Sequence, residues 1–322
     1  MILVANAGSS SLKLSAVAED ESSIHVESLA DAPAGVTAVA HRIVPGGRRF
    51  RDPVVVDDAV RGEIEALDEL APLHNAVQVK VIDDARRLLP DIPHVAVFDT
   101  AFHATIPAVA AAYAVPRAWA DDWGVRRYGF HGLSVQWAAD RVRVSRLIVC
   151  HLGAGCSVTA VRDGRSVDTT MGFSPLEGVP MATRSGSLDP AVPLFLIRTG
   201  RLTVDAVAEA LERESGLLGL SGLSGRVEEL ERSGDAAAAH ALAVFAYRIA
   251  IAVASMAVPL GGVDAIVFTG GVGERSEAVR AAVCARLGFL GVGTGSVAIH
   301  VVEAREDVVA AREARRVLRN YI

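Results

Sequence analysis

The chain is poor in cysteine and has no excess of basic charge, and each of these narrows what it can be. Its cysteines, Cys150, Cys156 and Cys284, are odd in number and scattered along 322 residues. They form neither a disulfide framework nor a metal-ligand spacing, and such usage fits a reducing compartment. The formal net charge is −6 with dispersed basic residues, whereas a nucleic-acid partner asks for a basic face. No charged leader with a cleavage site precedes the first apolar run, so no signal peptide is expected. The most apolar stretch, 249–262, is alanine-rich and short for a membrane span, and reads as a buried helix. A cytoplasmic protein with neither nucleic acid nor membrane as partner is the expectation. What is abundant is apolar: 51% hydrophobic against 22% charged, enough core for two domains.

Apolar runs bounded by turns predict strands at 2–6, 11–17, 36–44, 94–99, 147–151, 157–162, 265–269 and 297–302. Helical spacing covers 58–70, 76–89, 134–142, 190–199, 203–214, 235–258, 276–287 and 305–319, with Ser276 placed to cap its helix. The chain is therefore α/β. It also echoes itself. ILVANAGSSSLKLSAV at 2–17 returns as LIVCHLGAGCSVTAVRDG at 147–164, strand, glycine turn and strand, with His151 standing where Asn6 stands. Repetition over this distance points to a duplicated domain and not to a solenoid, whose periods are far shorter. A third glycine turn, FTGGVGERS at 268–276, follows a strand and opens a helix, where N–H groups favour an anion. None of the three completes a Walker or dinucleotide fingerprint. Three glycine turns on strand ends, two of them related by duplication, fit a nucleotide cleft between paired domains.

Polar residues interrupt apolar segments at AHRIVPGG (Arg42), APLHNA (His74), VFDTAFH (Asp99), RRYGFHG (His131) and MATRSGSLDP (Arg184). Taken singly, the arginines suit structural ion pairs equally well. A lone histidine is more often a packed core residue than a catalytic one, and Asp99 could cap a turn.

Together, NAGSSSLK, HRIVPGG, APLHN, VFDTAFH, RRYGFHG, CHLGAG, SVDTTMGFSPLEG, TRSG and VFTGGVGE resemble the acetate kinase family, in order and from the first strand to the last glycine loop. The resemblance implies a duplicated two-domain sugar kinase/Hsp70/actin-like fold with a central nucleotide cleft. One lobe would span 1–144 plus 305–322, the other 145–304. It implies reversible phosphoryl transfer from ATP to acetate, with Mg²⁺ or Mn²⁺, in a homodimer. By position, Arg42, Asp99, His131, Arg184 and His74 match the catalytic set. Val44, Leu73, Phe130 and Pro175 match the pocket for the methyl group. Ser11, Lys13, His151, Gly153, Ala154, Gly155, Arg226, Gly271, Val272 and Gly273 match the nucleotide side, while Asn6 and Glu306 fall to the metal. Fixed guanidinium forks suit carboxylate and phosphate oxygens, and acetate, already ionised at neutral pH, hardly needs a base.

The chain departs from the family chiefly on the donor side. Ala154 replaces an Asn, Gly-Arg-Val-Glu at 225–228 replaces an Asp-Phe-Arg stretch, Arg275 replaces an Asn, and Pro45 replaces a His beside Arg42. The chain is also short between Lys13 and His41. These departures leave alternatives: a donor other than ATP, such as pyrophosphate or another nucleotide; propionate as the main acceptor; or a catalytically weak nucleotide-binding relative.

Overall fold

Successive side chains leave a strand on opposite faces, and the opening strand, Ile2–Ala7, is covered on both, with only Asn6 short of full burial. In the computed structural model, residues 1–7, 12–67 and 72–320 are described, without the side chains of 72–75. The contacts divide the chain into two units: residues 1–104, 114–137 and 305–322, and residues 105–113 and 138–304.

The first unit is built on β1 (Ile2–Ala7), β2 (Leu12–Val17), β3 (Ser23–Val26), β4 (Ala38–Ile43), β5 (Val54–Val55) and β6 (His94–Phe98), in the order β3-β2-β1-β4-β6-β5. One face carries Leu3, Ala5, Val39, Ile43, Ala96 and Phe98, packed against Val79, Ile82 and Ala85 of helix Pro72–Leu88. The other receives helix Glu306–Arg319, whose Val308, Val309, Ala310, Ala311 and Ala314 are buried. Alanines on both partners, with Ala38 and Ala40 on the sheet, let helix and strands approach closely. Alternation also separates two neighbours in sequence. His41 joins His94 on the first face, and Arg42 points to the second beside Glu306.

The second unit holds β7 (Arg146–Leu152), β8 (Cys156–Arg162), β9 (Arg165–Thr169), β10 (Ala265–Thr269) and β11 (Ala298–Val301), ordered β11-β10-β7-β8-β9. In each unit the opening strand pairs antiparallel with the next and parallel with a later one. The parallel pairs β4–β6 and β10–β11 then extend each sheet on that side. The echo in the sequence is thus a duplication of topology. Asn6 and His151 occupy the penultimate paired position of their hairpins, opposite Lys13 and Ser157. Against this sheet lies helix Ala236–Leu260, within two residues of the expected 235–258. It is the one helix among the described residues long and apolar enough to cross a membrane, and half of its most apolar window is buried.

Elements the periodicity passed over are short or polar. β3 (SIHV) and β9 (RSVDT) flank their sheets with water on one side, so neither carries an apolar run. The third glycine turn is itself helical over Gly270–Arg275, and Ser276 then caps Glu277–Cys284 by accepting from Val279 N–H at 3.0 Å.

Candidate active site

In the first unit, parallel pairing places Asn6, at the end of β1, beside Arg42 on β4, and Asp99 follows directly on β6. Their side chains form one network. The Asp99 carboxylate accepts from Arg42 Nε at 3.3 Å and from Nη2 at 2.5 Å, a two-point fork that fixes the guanidinium plane. Arg42 Nη1 donates to Asn6 Oδ1 at 2.9 Å, and Asn6 Nδ2 donates to Glu306 Oε2 at 3.1 Å. Glu306 Oε2 also stands 3.5 Å from Arg42 Nη1. Arg42 is 13% exposed and Asp99 1%. Burial by itself would weaken the arginine's hold on its proton, but the Asp99 and Glu306 carboxylates reverse this and raise its pKa. Arg42 is therefore a permanent, oriented cation.

Asp99 also binds the next motif. His131 N–H donates to its Oδ2 at 3.3 Å, and Gly132 N–H donates to its backbone oxygen at 2.9 Å. A Cβ on Gly132 would lie 2.2 Å from that oxygen, so only glycine permits the approach. His131 itself adopts φ 59°, a left-handed conformation costly for a residue with a side chain. Strain of this kind gathers where the surroundings over-determine a functional position. Behind it, buried His103 donates from Nε2 to Phe130 O at 2.8 Å, and burial pushes its pKa down to about 4.

In the second unit, β7 turns into β8 through Gly153, Ala154 and Gly155, with Gly153 N–H donating to Gly155 O at 3.0 Å. The third glycine turn meets this one: a Cβ on Gly270 would sit 2.8 Å from Leu152 O. Gly271, Val272 and Gly273 follow in the helical turn, with the Arg275 guanidinium lying over Gly271. Arg184 donates from Nη1 to Pro175 O at 3.2 Å and contacts Met181 Sδ at 3.8 Å. Among the described residues no carboxylate forms an ion pair with it, and burial lowers its pKa while Cys156 and Glu212 act the other way. A guanidinium held by a carbonyl keeps its charge for an anion.

The model of the acetokinase family matches residues 23–319. Acetate kinase of Deinococcus deserti is 46% identical over 314 residues, covering 88% of this chain and 78% of its own length. This chain belongs to the acetokinase family. Among solved structures, a propionate kinase of Francisella tularensis superposes with a TM-score of 0.90 at 31% identity, covering 97% of this chain and 98% of its own. A putative N-acetylmannosamine kinase of Listeria monocytogenes, at TM-score 0.52 and 12% identity, shows the sugar kinase/Hsp70/actin fold alone.

The other positions of the resemblance divide between described and undescribed residues. Ser11 falls outside the described residues, as do the side chains of Leu73 and His74. Lys13 is exposed on β2, Val44 and Phe130 are buried, and His151 is buried at the end of β7. Arg226 is 71% exposed and spends its charge on Glu229 at 3.0 Å and Glu228 at 3.9 Å. Val227 beside it is buried, so that departure from the family is absorbed in packing.

No group of three or more His, Cys, Asp or Glu gathers among the described residues. The oxygens of Glu306 and Asn6 are hard donors, and so small a set suits Mg²⁺, which keeps waters and shares phosphate oxygens. Sequence reasoning missed Gln78, whose buried amide donates to Ala7 O and accepts from Val44 N–H, both at 3.1 Å. It ties together the strand ends that carry Asn6 and Arg42. Tyr113 was missed as well.

Proposed function

We propose that the chain transfers the γ-phosphoryl group of ATP to the carboxylate of acetate, reversibly giving acetyl phosphate and ADP. A carboxylate oxygen forms the new bond to phosphorus as the bond to the β-phosphate oxygen breaks, and no proton need move. The observation that carries this reading is the pair of arginines in contrasting states. Arg42 is locked in plane by Asp99 and Asn6, and Arg184 is directed by a carbonyl with no carboxylate in ion-pair contact among the described residues.

Both guanidiniums serve the migrating phosphoryl group and the acceptor carboxylate, where stabilisation of developing charge is worth ~10³–10⁵ in rate. Asp99 orients Arg42. His131 donates to the phosphoryl oxygens, supported by His74. Ser11, Lys13, His151 and the turns at Gly153–Gly155 and Gly271–Gly273 hold the nucleotide with their N–H groups. Glu306 and Asn6 are the residues that would hold Mg²⁺, which would neutralise charge on the phosphates. Val44, Leu73, Phe130 and Pro175 receive the methyl group. One methylene alters binding in such a pocket by only ~1–3 kcal/mol, so propionate is accepted too. Because Arg226 is already paired with two glutamates, ATP is favoured over pyrophosphate as donor.

The reading includes a cytoplasmic homodimer. Helix Ala191–Arg198 supports the association, since it buries none of its residues and leaves Val192, Leu194 and Phe195 exposed. Apolar surface left so open marks an association face.

Trapping acyl phosphate with hydroxylamine tests the chemistry. Purified protein with acetate, Mg²⁺ and ATP, GTP or pyrophosphate should yield acetyl hydroxamate fastest with ATP. No product with any donor would refute the activity, and pyrophosphate outrunning ATP would refute the donor.

A further inference from the structure

We infer that Tyr113 is a positioning residue for Arg184, acting through the loop that carries Pro175; this rests on the role of Arg184 proposed above. Among the described residues Arg184 donates to one oxygen, the carbonyl of Pro175 at 3.2 Å. Wherever that carbonyl points, the guanidinium follows. Pro175 sits midway between Phe173 and Glu177, and both of these are held by a single phenol. Tyr113 donates its O–H to the Glu177 carboxylate and accepts from Phe173 N–H at 2.9 Å.

The packing at this point leaves no slack. A Cβ on Gly172 would lie 1.7 Å from Glu177 Oε2 and 1.9 Å from the Tyr113 hydroxyl. Further along, the loop closes on itself: Ser187 N–H donates to Gly178 O at 2.8 Å, and Ser187 Oγ accepts from Gly178 N–H at 3.1 Å. The tyrosine is anchored as well. It ends the segment Thr105–Tyr113, which belongs to the second unit although its flanks belong to the first. At the other end, Thr105 Oγ1 donates to Ser166 O on β9 at 2.8 Å. The segment is thus a strap that joins β9 to the Arg184 loop. It contributes no group to the chemistry itself.

A hydrogen bond to a charged partner, once lost, is worth about tenfold to a hundredfold. Tyr113→Phe should therefore lower kcat/KM for acetate by about that factor, with KM for ATP nearly unchanged. Glu177→Gln keeps an amide oxygen that accepts from the phenol and should retain most activity, whereas Glu177→Ala should behave like Tyr113→Phe. Introduced into an Arg184→Ala background, Tyr113→Phe should have no further effect, because its influence runs through that arginine.

Arg184→Ala disabled, with Tyr113→Phe equal to the parent, would overturn the inference and leave the role of Arg184 standing. The same fold-loss from Tyr113→Phe in both backgrounds would also overturn it, by showing an independent effect. Arg184→Ala within about tenfold of the parent would overturn the role of Arg184 and this inference with it.

Discussion

Replacing Asp99 by Asn isolates what the Arg42 fork contributes. The side chain keeps its shape, but one of the two oxygens facing Arg42 becomes an NH₂ group that meets a donor. Arg42 then keeps one oxygen at position 99, Asn6 and, 3.5 Å away, Glu306 as its partners, but no two-point fork. Removing one member of a buried ion pair costs about 3–5 kcal/mol. The 13% exposure of Arg42 and the presence of Glu306 trim this to about 2–4 kcal/mol. The kinetic effect follows from geometry. Without a two-point anchor the guanidinium is free to swing, and a misplacement of about 1 Å costs ~10² in rate. Losing the N–H contact from His131 adds to this. We expect turnover in the hydroxamate assay to fall by ~10²–10³, together with a melting temperature lower by several degrees. Activity within about fivefold of the parent and unchanged melting would refute the view that Asp99 orients Arg42.

Gly132→Ala should be severe despite its small size, because its methyl group would press on Asp99 O at 2.2 Å and shift the carboxylate. Activity should fall with Asp99→Asn, and stability by about 1–3 kcal/mol in chemical denaturation. Acid should erode stability through His41. Its partner His94 donates its Nε2–H to Leu89 O, so His94 Nδ1 accepts from His41 Nε2–H and leaves His41 Nδ1 bare and unpartnered. Burial, with smaller effects from His94 and Arg86, pushes the His41 pKa down to about 3. As pH falls below about 6.5 the unfolded chain takes up a proton that the folded chain refuses. Each unit down to about 3 then removes ~1.4 kcal/mol. Melting curves across this range should flatten in His41→Leu, and an unchanged slope would exclude His41 as the cause.

The parts of the fold legible in the sequence are those with strong local physics. The 2–17 and 147–164 hairpins announced themselves by apolar strands around glycine turns, and the Ser276 cap by its hydroxyl before a helical run. β3 and β9 left no such trace, since a short strand open to water on one side tolerates Ser, His, Arg and Asp. The motifs named Arg42 and Asp99 separately, but their fork depends on the register of β4 against β6, which no local pattern encodes. A lone Gln or Tyr carries no spacing at all. The tasks of Gln78 and Tyr113 became visible only once the backbone groups they hold had coordinates. The departure at Arg226 left a donor other than ATP open in the sequence, yet Glu228 and Glu229, two and three residues along, pair with its charge.

Acetyl phosphate formation by Arg42→Ala, Arg184→Ala and the double variant, each checked for an intact fold, tests most directly whether two guanidiniums serve one migrating phosphoryl group. Each single change should cost at least ~10³ in turnover, and the double change far less than the product of the two, because either loss alone dismantles the arrangement. Either single variant retaining activity within about tenfold of the parent would contradict the account.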